Sequence, residues 1–118
     1  MPASLKEVLG DLCKTPGVVA ALVVGRDGFL IEGLTAEGAD LEALGAIASS
    51  VLVGSESLGK DMSLGAPHSL LMEFEIGPVA VSGVNGDAVL VVMGNRLCNL
   101  GRLRVEAKKA LEAVAQCL

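Results

Sequence analysis

Apolar residues recur at helical spacing in three parts of this chain, and at strand spacing or without interruption in the parts between them. Ser4 to Glu7 reads Ser-Leu-Lys-Glu, a capping box, and Leu5, Val8, Leu9 and Leu12 continue as a helical stripe. Thr15-Pro16-Gly17 ends that helix, since proline lacks an N–H donor and glycine favours a turn. Val18 to Val24 is an unbroken apolar run rich in β-branched residues, which predicts a strand covered on both faces. Gly25-Arg26-Asp27-Gly28 carries a hairpin signal, Phe29 to Gly33 is the returning strand, and residues 34 to 39 are expected to be a loop.

Residues 39 to 60 read as one helix whose two faces are both poor in charge. Leu41, Leu44, Ala48, Val51, Ser55 and Leu58 form one stripe, and Ala46, Ser49, Ser50, Val53 and Ser57 lie opposite, most of them small. A surface helix normally sets an apolar face against a charged one. A helix that lacks the charged face is expected to have a second surface covering it, and in a short chain that surface is another protein.

Ser69 to Ile76 alternates as a strand, with Met72, Phe74 and Ile76 on one face and Leu71, Glu73 and Glu75 on the other. Gly77-Pro78 is a tight turn, Val79 to Gly83 a short strand, and Asn85-Gly86 a second hairpin signal. Ala88 to Met93 has no polar face, and the final helix is expected from about Leu97 to Cys117, with Leu100, Leu103, Ala107, Leu111, Val114 and Leu118 along its buried side. The order is α-β-β-α-β-β-β-α. Two strands without a polar face require helices on both sides of the sheet. The first and last helices, each with a single stripe, share one side, and the two-faced helix covers the other alone. The expected class is therefore α+β with an antiparallel sheet.

Composition narrows the function. At 118 residues the chain fits one domain, and a core can form without disulfides or metal. The mean hydropathy of +0.61 raises the question of a membrane, but the longest apolar run is Val18 to Val24, far short of the roughly 20 residues of a spanning helix. No basic segment followed by an apolar one opens the chain, so no secretory signal is expected and the cytoplasm is the expected location. A net charge of −5, no Trp or Tyr and only Phe29 and Phe74 as aromatics argue against nucleic acid as a partner. Cys13, Cys98 and Cys117 are an odd set with no Cys-x-x-Cys, so neither a disulfide framework nor a zinc site is expected.

The candidate chemistry is weak. Gly54 to Lys60 matches the first positions of a phosphate-binding loop, but Asp61 stands where the magnesium-ligating Ser or Thr belongs, and Glu56 would put a negative charge in the cradle. The segment also closes a helix rather than opening one, so Gly59 reads as a stop and Lys60 as a favourable charge at the helix end. His68 reads as a histidine at a strand entrance, Glu73 and Glu75 as a solvated stripe guarding an edge, and Arg26 as a solvated hairpin arginine. No nucleophile, base and oxyanion donor assemble, so no enzyme and no cofactor are expected. The sequence describes a surface for binding.

At this point the chain resembles the roadblock / dynein light chain family over nearly its full length. Pro16-Gly17-Val18-Val19-Ala20-Ala21, then Arg26-Asp27-Gly28 with Phe29-Leu30-Ile31, is similar to the family's "PGV-x-GA" strand and "RDG" hairpin, with Ala20 where the family usually has Gly. Ala88 to Met93 followed by Asn99-Leu100-Gly101 is similar to a second family block ending in "NLG". The resemblance implies a profilin/longin-like, five-stranded antiparallel sheet in the order 2-1-5-4-3, with one helix on one face and two on the other. It implies a homodimer formed through the middle helix (Ala46, Ser49, Ser50, Val53, Ser57) and the strand Leu70 to Phe74, including Leu71 and Glu73. Glu73 and Glu75 would then approach their symmetry mates unless the register staggers them. It further implies a cytoplasmic regulator or adaptor of a small Ras-like GTPase, with a purely structural light-chain-like scaffold as the alternative. Neither nucleic acid nor membrane insertion is implied.

Overall fold

Side-chain caps set where each helix begins. In the computed structural model, which describes residues 4–118, α1 spans Leu5–Cys13, and the Ser4 hydroxyl accepts the Glu7 N–H at 3.2 Å. α2 spans Leu41–Asp61 behind Asp40, whose carboxylate accepts the Ala43 N–H, and α3 spans Leu100–Gln116 behind Asn99, whose side-chain oxygen accepts the Arg102 N–H. Each cap satisfies an N–H that has no partner within its own helix. α3 starts later than the expected Leu97 because Asn95 first makes a turn, accepting the Cys98 N–H on its carbonyl and the Leu97 N–H on its side chain. Leu118, expected on the buried side of that helix, is exposed beyond its end.

The strands are β1 (Val18–Gly25), β2 (Leu30–Thr35), β3 (Ser69–Glu73), β4 (Pro78–Val84) and β5 (Ala88–Gly94). They form one antiparallel five-stranded sheet in the order β2-β1-β5-β4-β3. Two strand ends differ from the sequence expectation by more than one residue. β2 continues through Leu34 and Thr35, which pair with Ala21 and Ala20, and Leu34 packs under α1 instead of lying in a loop. β3 stops at Glu73 because the Phe74 N–H donates to the Gly77 carbonyl and closes the turn into β4. Glu75 therefore sits in that turn and does not share a strand face with Glu73.

Residues on alternate sides of the sheet build two cores. On one side Ala21, Val23, Leu90 and Val92 meet Leu9 and Leu12 of α1 and Leu103, Ala107 and Val114 of α3. On the other, Leu22, Val24, Val81, Val89 and Val91 meet Ala48 and Leu52 of α2. β1 and β5 are buried on both faces as their unbroken apolar runs require, and so is most of β4. α2 thus covers one side of the sheet alone.

Candidate functional site

Small residues let α2 lie close to the sheet. A Cβ at Gly45 would come within 2.4 Å of Val24 Cγ1. Ala48 and Leu52 occupy the centre of the contact, and the Ser49 hydroxyl donates to the Gly25 carbonyl at 3.2 Å. The buried stripe therefore runs through Gly45, Ala48, Ser49, Leu52 and Gly59. That phase corrects the sequence reading on both faces of the helix. Leu58, assigned to the inner stripe, is 58% exposed, and Ser49, assigned to the partner face, is only 5% exposed and committed within the protomer. Ser49 is not available to a partner.

The outward stripe is Ala43, Ala46, Ile47, Ser50, Val53, Gly54, Ser57 and Leu58, all exposed and all uncharged. Its spacing is helical throughout, so these side chains make one continuous strip. Ile47 is 62% and Val53 48% exposed. The most apolar eighteen-residue window of α2 has a mean hydropathy of 1.2, and only 22% of it is buried in the protomer. By length and composition α2 could cross a membrane, although no uninterrupted apolar run of that length occurs in the sequence. In the fold its inner side packs on the sheet. Of the residues expected at a partner interface, Ala46, Ser50, Val53 and Ser57 lie on the outer strip, while Leu71 and Glu73 are exposed on the edge strand β3.

The strip ends beside a fixed hairpin. Arg26, in the turn between β1 and β2, makes an ion pair with Glu56 of α2, so it is not the free solvated arginine expected from sequence. At Gly28, whose φ is +90°, the same turn presses on α2, since an added Cβ would lie 3.3 Å from Ala46 Cα. Arg26 and Glu56 are separated by thirty positions, and neither has a pattern that sequence could have joined. Their side chains are 33% and 37% exposed, so solvent screens the pair. Arg26→Ala is expected to lower stability by only about 0.5–1 kcal/mol. A double-mutant cycle with Glu56→Ala in urea melts would measure the coupling, and an effect of several kcal/mol would show that the hairpin anchors α2 rather than merely resting on it.

The other candidates are placed without being assembled. Gly54 to Lys60 lies inside α2, which runs on to Asp61, so Gly59 is not a stop. Gly59 is instead a crossing point, where the loop returns and Leu64 and Gly65 both donate to the Gly59 carbonyl. Its missing side chain makes room for the Gly65 carbonyl, which an added Cβ would meet at 2.1 Å. His68 is exposed at the entrance to β3. Cys13 and Cys98 are half-buried free cysteines, and burial raises the thiol pKa of each above the ordinary value, which keeps both protonated near neutrality.

A helix with an uncharged outer strip, laid alone on one side of a 2-1-5-4-3 sheet, defines the class of protein. The model of the Roadblock/LC7 domain matches residues 4–93, and the chain belongs to that family. A protein of Methanocaldococcus jannaschii is 31% identical over 110 residues, which is 93% of this chain and 96% of that one. Among solved structures, the gliding protein MglB of Thermus thermophilus is 23% identical with a TM-score of 0.87, covering 96% of this chain and 87% of its own. A Roadblock/LC7 domain from Streptomyces avermitilis is 17% identical with a TM-score of 0.86, covering 97% of both chains. At these identities the solved structures establish the fold, which is the one the family resemblance implies.

Proposed function

We propose that this protein is a homodimeric, non-enzymatic regulatory adaptor that works in the cytoplasm, using the outer face of α2 to bind its twin and a small Ras-like GTPase. The observation that carries this reading is the uncharged strip from Ala43 to Leu58. Leaving such a strip in water forgoes about 1.5–3 kcal/mol for each large aliphatic side chain that a partner could bury. Continuous exposed apolar surface of this kind marks a protein contact. The exposed edge of β3 adds a second element, because an unpaired strand offers a row of backbone donors and acceptors to another strand. A two-fold axis beside β3 would extend the sheet and bring two copies of α2 onto the same side, making a platform wide enough for a third protein. Any effect on GTP hydrolysis would come from positioning the switch loops of the GTPase.

The test is recovery of purified small GTPases from the same genome on the immobilised protein, loaded with a GTP analogue or with GDP. A regulator of the cycle is expected to retain one nucleotide state at least about tenfold better than the other, a coupling of about 1.4 kcal/mol. Equal retention of both states would favour a structural adaptor. No retention in either state would remove the GTPase from the reading.

A further inference from the structure

A groove of about 580 Å³ lies on the side of the sheet opposite α2, between α3 and the strands β3 and β4. Ser69, Leu71 and Ala80 form its sheet wall, and Arg104, Lys108 and Leu111 its helix wall. Arg104 and Lys108 are four positions apart and so project from one face of α3. Neither has an ion-pair partner among the described residues, whereas Arg102 and Lys109 both reach Glu106. In a chain of net charge −5, two unneutralised cations beside a floor of mixed polarity, with Ser69 and Ser82 next to Leu71 and Ala80, call for a carboxylate. Both cations lie beyond residue 93, where the family match ends.

The chain itself supplies a carboxylate at the right place if two copies pair through β3. Leu70 and Met72 pack on the α2 side of the sheet, so Ser69, Leu71 and Glu73 face the α3 side. The backbone carries the same alternation. Phe74 N–H bonds to Gly77 across the β3–β4 turn, and in an antiparallel ladder every second residue bonds to the same neighbour. The N–H and C=O groups of Ser69, Leu71 and Glu73 therefore point to the open edge. β3 has only five residues, and an antiparallel two-fold pairing that engages all three of these has its axis at Leu71. Glu73 of one copy then stands opposite Ser69 of the other, at the mouth of the groove that holds Arg104 and Lys108. The two Glu73 side chains are separated by four residues along the strand, about 13 Å, more than a screening length at ordinary salt. The like-charge conflict that the sequence raised at this edge disappears in this register.

We propose that the α3–β3 groove is the receptor for Glu73 of a second copy, and that this crossed pairing of Glu73 with Arg104 and Lys108 sets the register of the dimer. The inference rests on the homodimer of the proposed function and makes each groove complete only in the presence of the twin. Opposite charges at such an edge choose the partner and the alignment more than they add affinity. They would also select against other roadblock chains that lack an acid at this strand position.

The test is a charge-reversal cycle on the full chain, read as the dimer dissociation constant by sedimentation equilibrium at low and at high salt. Glu73→Lys alone, and Arg104→Glu with Lys108→Glu, are each expected to weaken the dimer by at least about tenfold. Combining all three changes is expected to restore the constant to within about threefold of the parent. Glu73→Gln adds no repulsion and is expected to weaken the dimer by a few-fold and to flatten its salt dependence. All three positions are exposed, and thermal melts of each variant check that the fold is kept. Reversals that leave the constant within about twofold, or a combined variant no better than its parts, would overturn the crossed pairing while leaving the dimer in place. A parent protein that stays monomeric at every concentration would overturn the dimer and this inference together.

Discussion

Val53→Glu is expected to turn the proposed dimer into a folded monomer. Val53 sits at the middle of the uncharged strip on α2, exposed in the protomer and clear of the sheet contacts that hold the helix down. A carboxylate there costs little in the free protomer, because water reaches it and glutamate suits a helix interior better than valine. In the dimer the same carboxylate would be buried against its symmetry mate, without a counter-charge anywhere on the strip. The expected loss in dimer affinity is several kcal/mol, at least a thousandfold in the dissociation constant. Light scattering at micromolar concentration reads the mass directly. Concentration is best taken from refractive index, since the chain has no Trp or Tyr. An unchanged dimer mass would take the middle of α2 out of the interface, and a fall in melting temperature alone would mean that Val53 supports the protomer.

Gly17→Ala is expected to destabilise the protomer itself by about 3 kcal/mol or more. Gly17 has φ of +86°, a region that costs an L-residue about 1–2 kcal/mol. Space is the larger problem. A Cβ there would stand 2.4 Å from the Cys98 backbone nitrogen and 2.8 Å from the Leu97 carbonyl carbon. Both contacts are with backbone, so no side chain can rotate away. The Gly17 carbonyl also accepts the Asn95 N–H at 2.8 Å, tying the entry of β1 to the turn that leads into α3. Urea melts of the variant against the parent would measure the loss. A change below about 0.5 kcal/mol would mean that the segment from Leu97 to Cys98 can move aside freely. The glycine in the Pro16-Gly17-Val18 stretch is thus explained by packing, with no need for a partner to contact it.

The two predictions separate the readable from the unreadable parts of the site. That α2 has a second, uncharged face could be read from its composition and period. Which residues make up that face could not. A helix with a charged face has its rotation about its own axis announced by the charges. In α2 both faces carry small and apolar residues, so the pattern fits two phases about equally well. Ser49 and Leu58 fell on the wrong sides for that reason. The contact with Val24 at Gly45 and the hydrogen bond from Ser49 to Gly25 select one phase, and both depend on residues of a distant strand.

By itself the sequence determined the order of the elements, the two hairpins and the cap of the first helix. It also determined the need for helices on both sides of the sheet. Each of these follows from interactions among residues only a few positions apart, or from runs that have no polar face to turn towards water. Only the tertiary structure decided the rotation of α2, the pairing of Arg26 with Glu56, and the groove that gathers Ser69, Leu71, Arg104 and Lys108. These depend on groups far apart in the chain, and no local period or turn motif encodes which of them will meet.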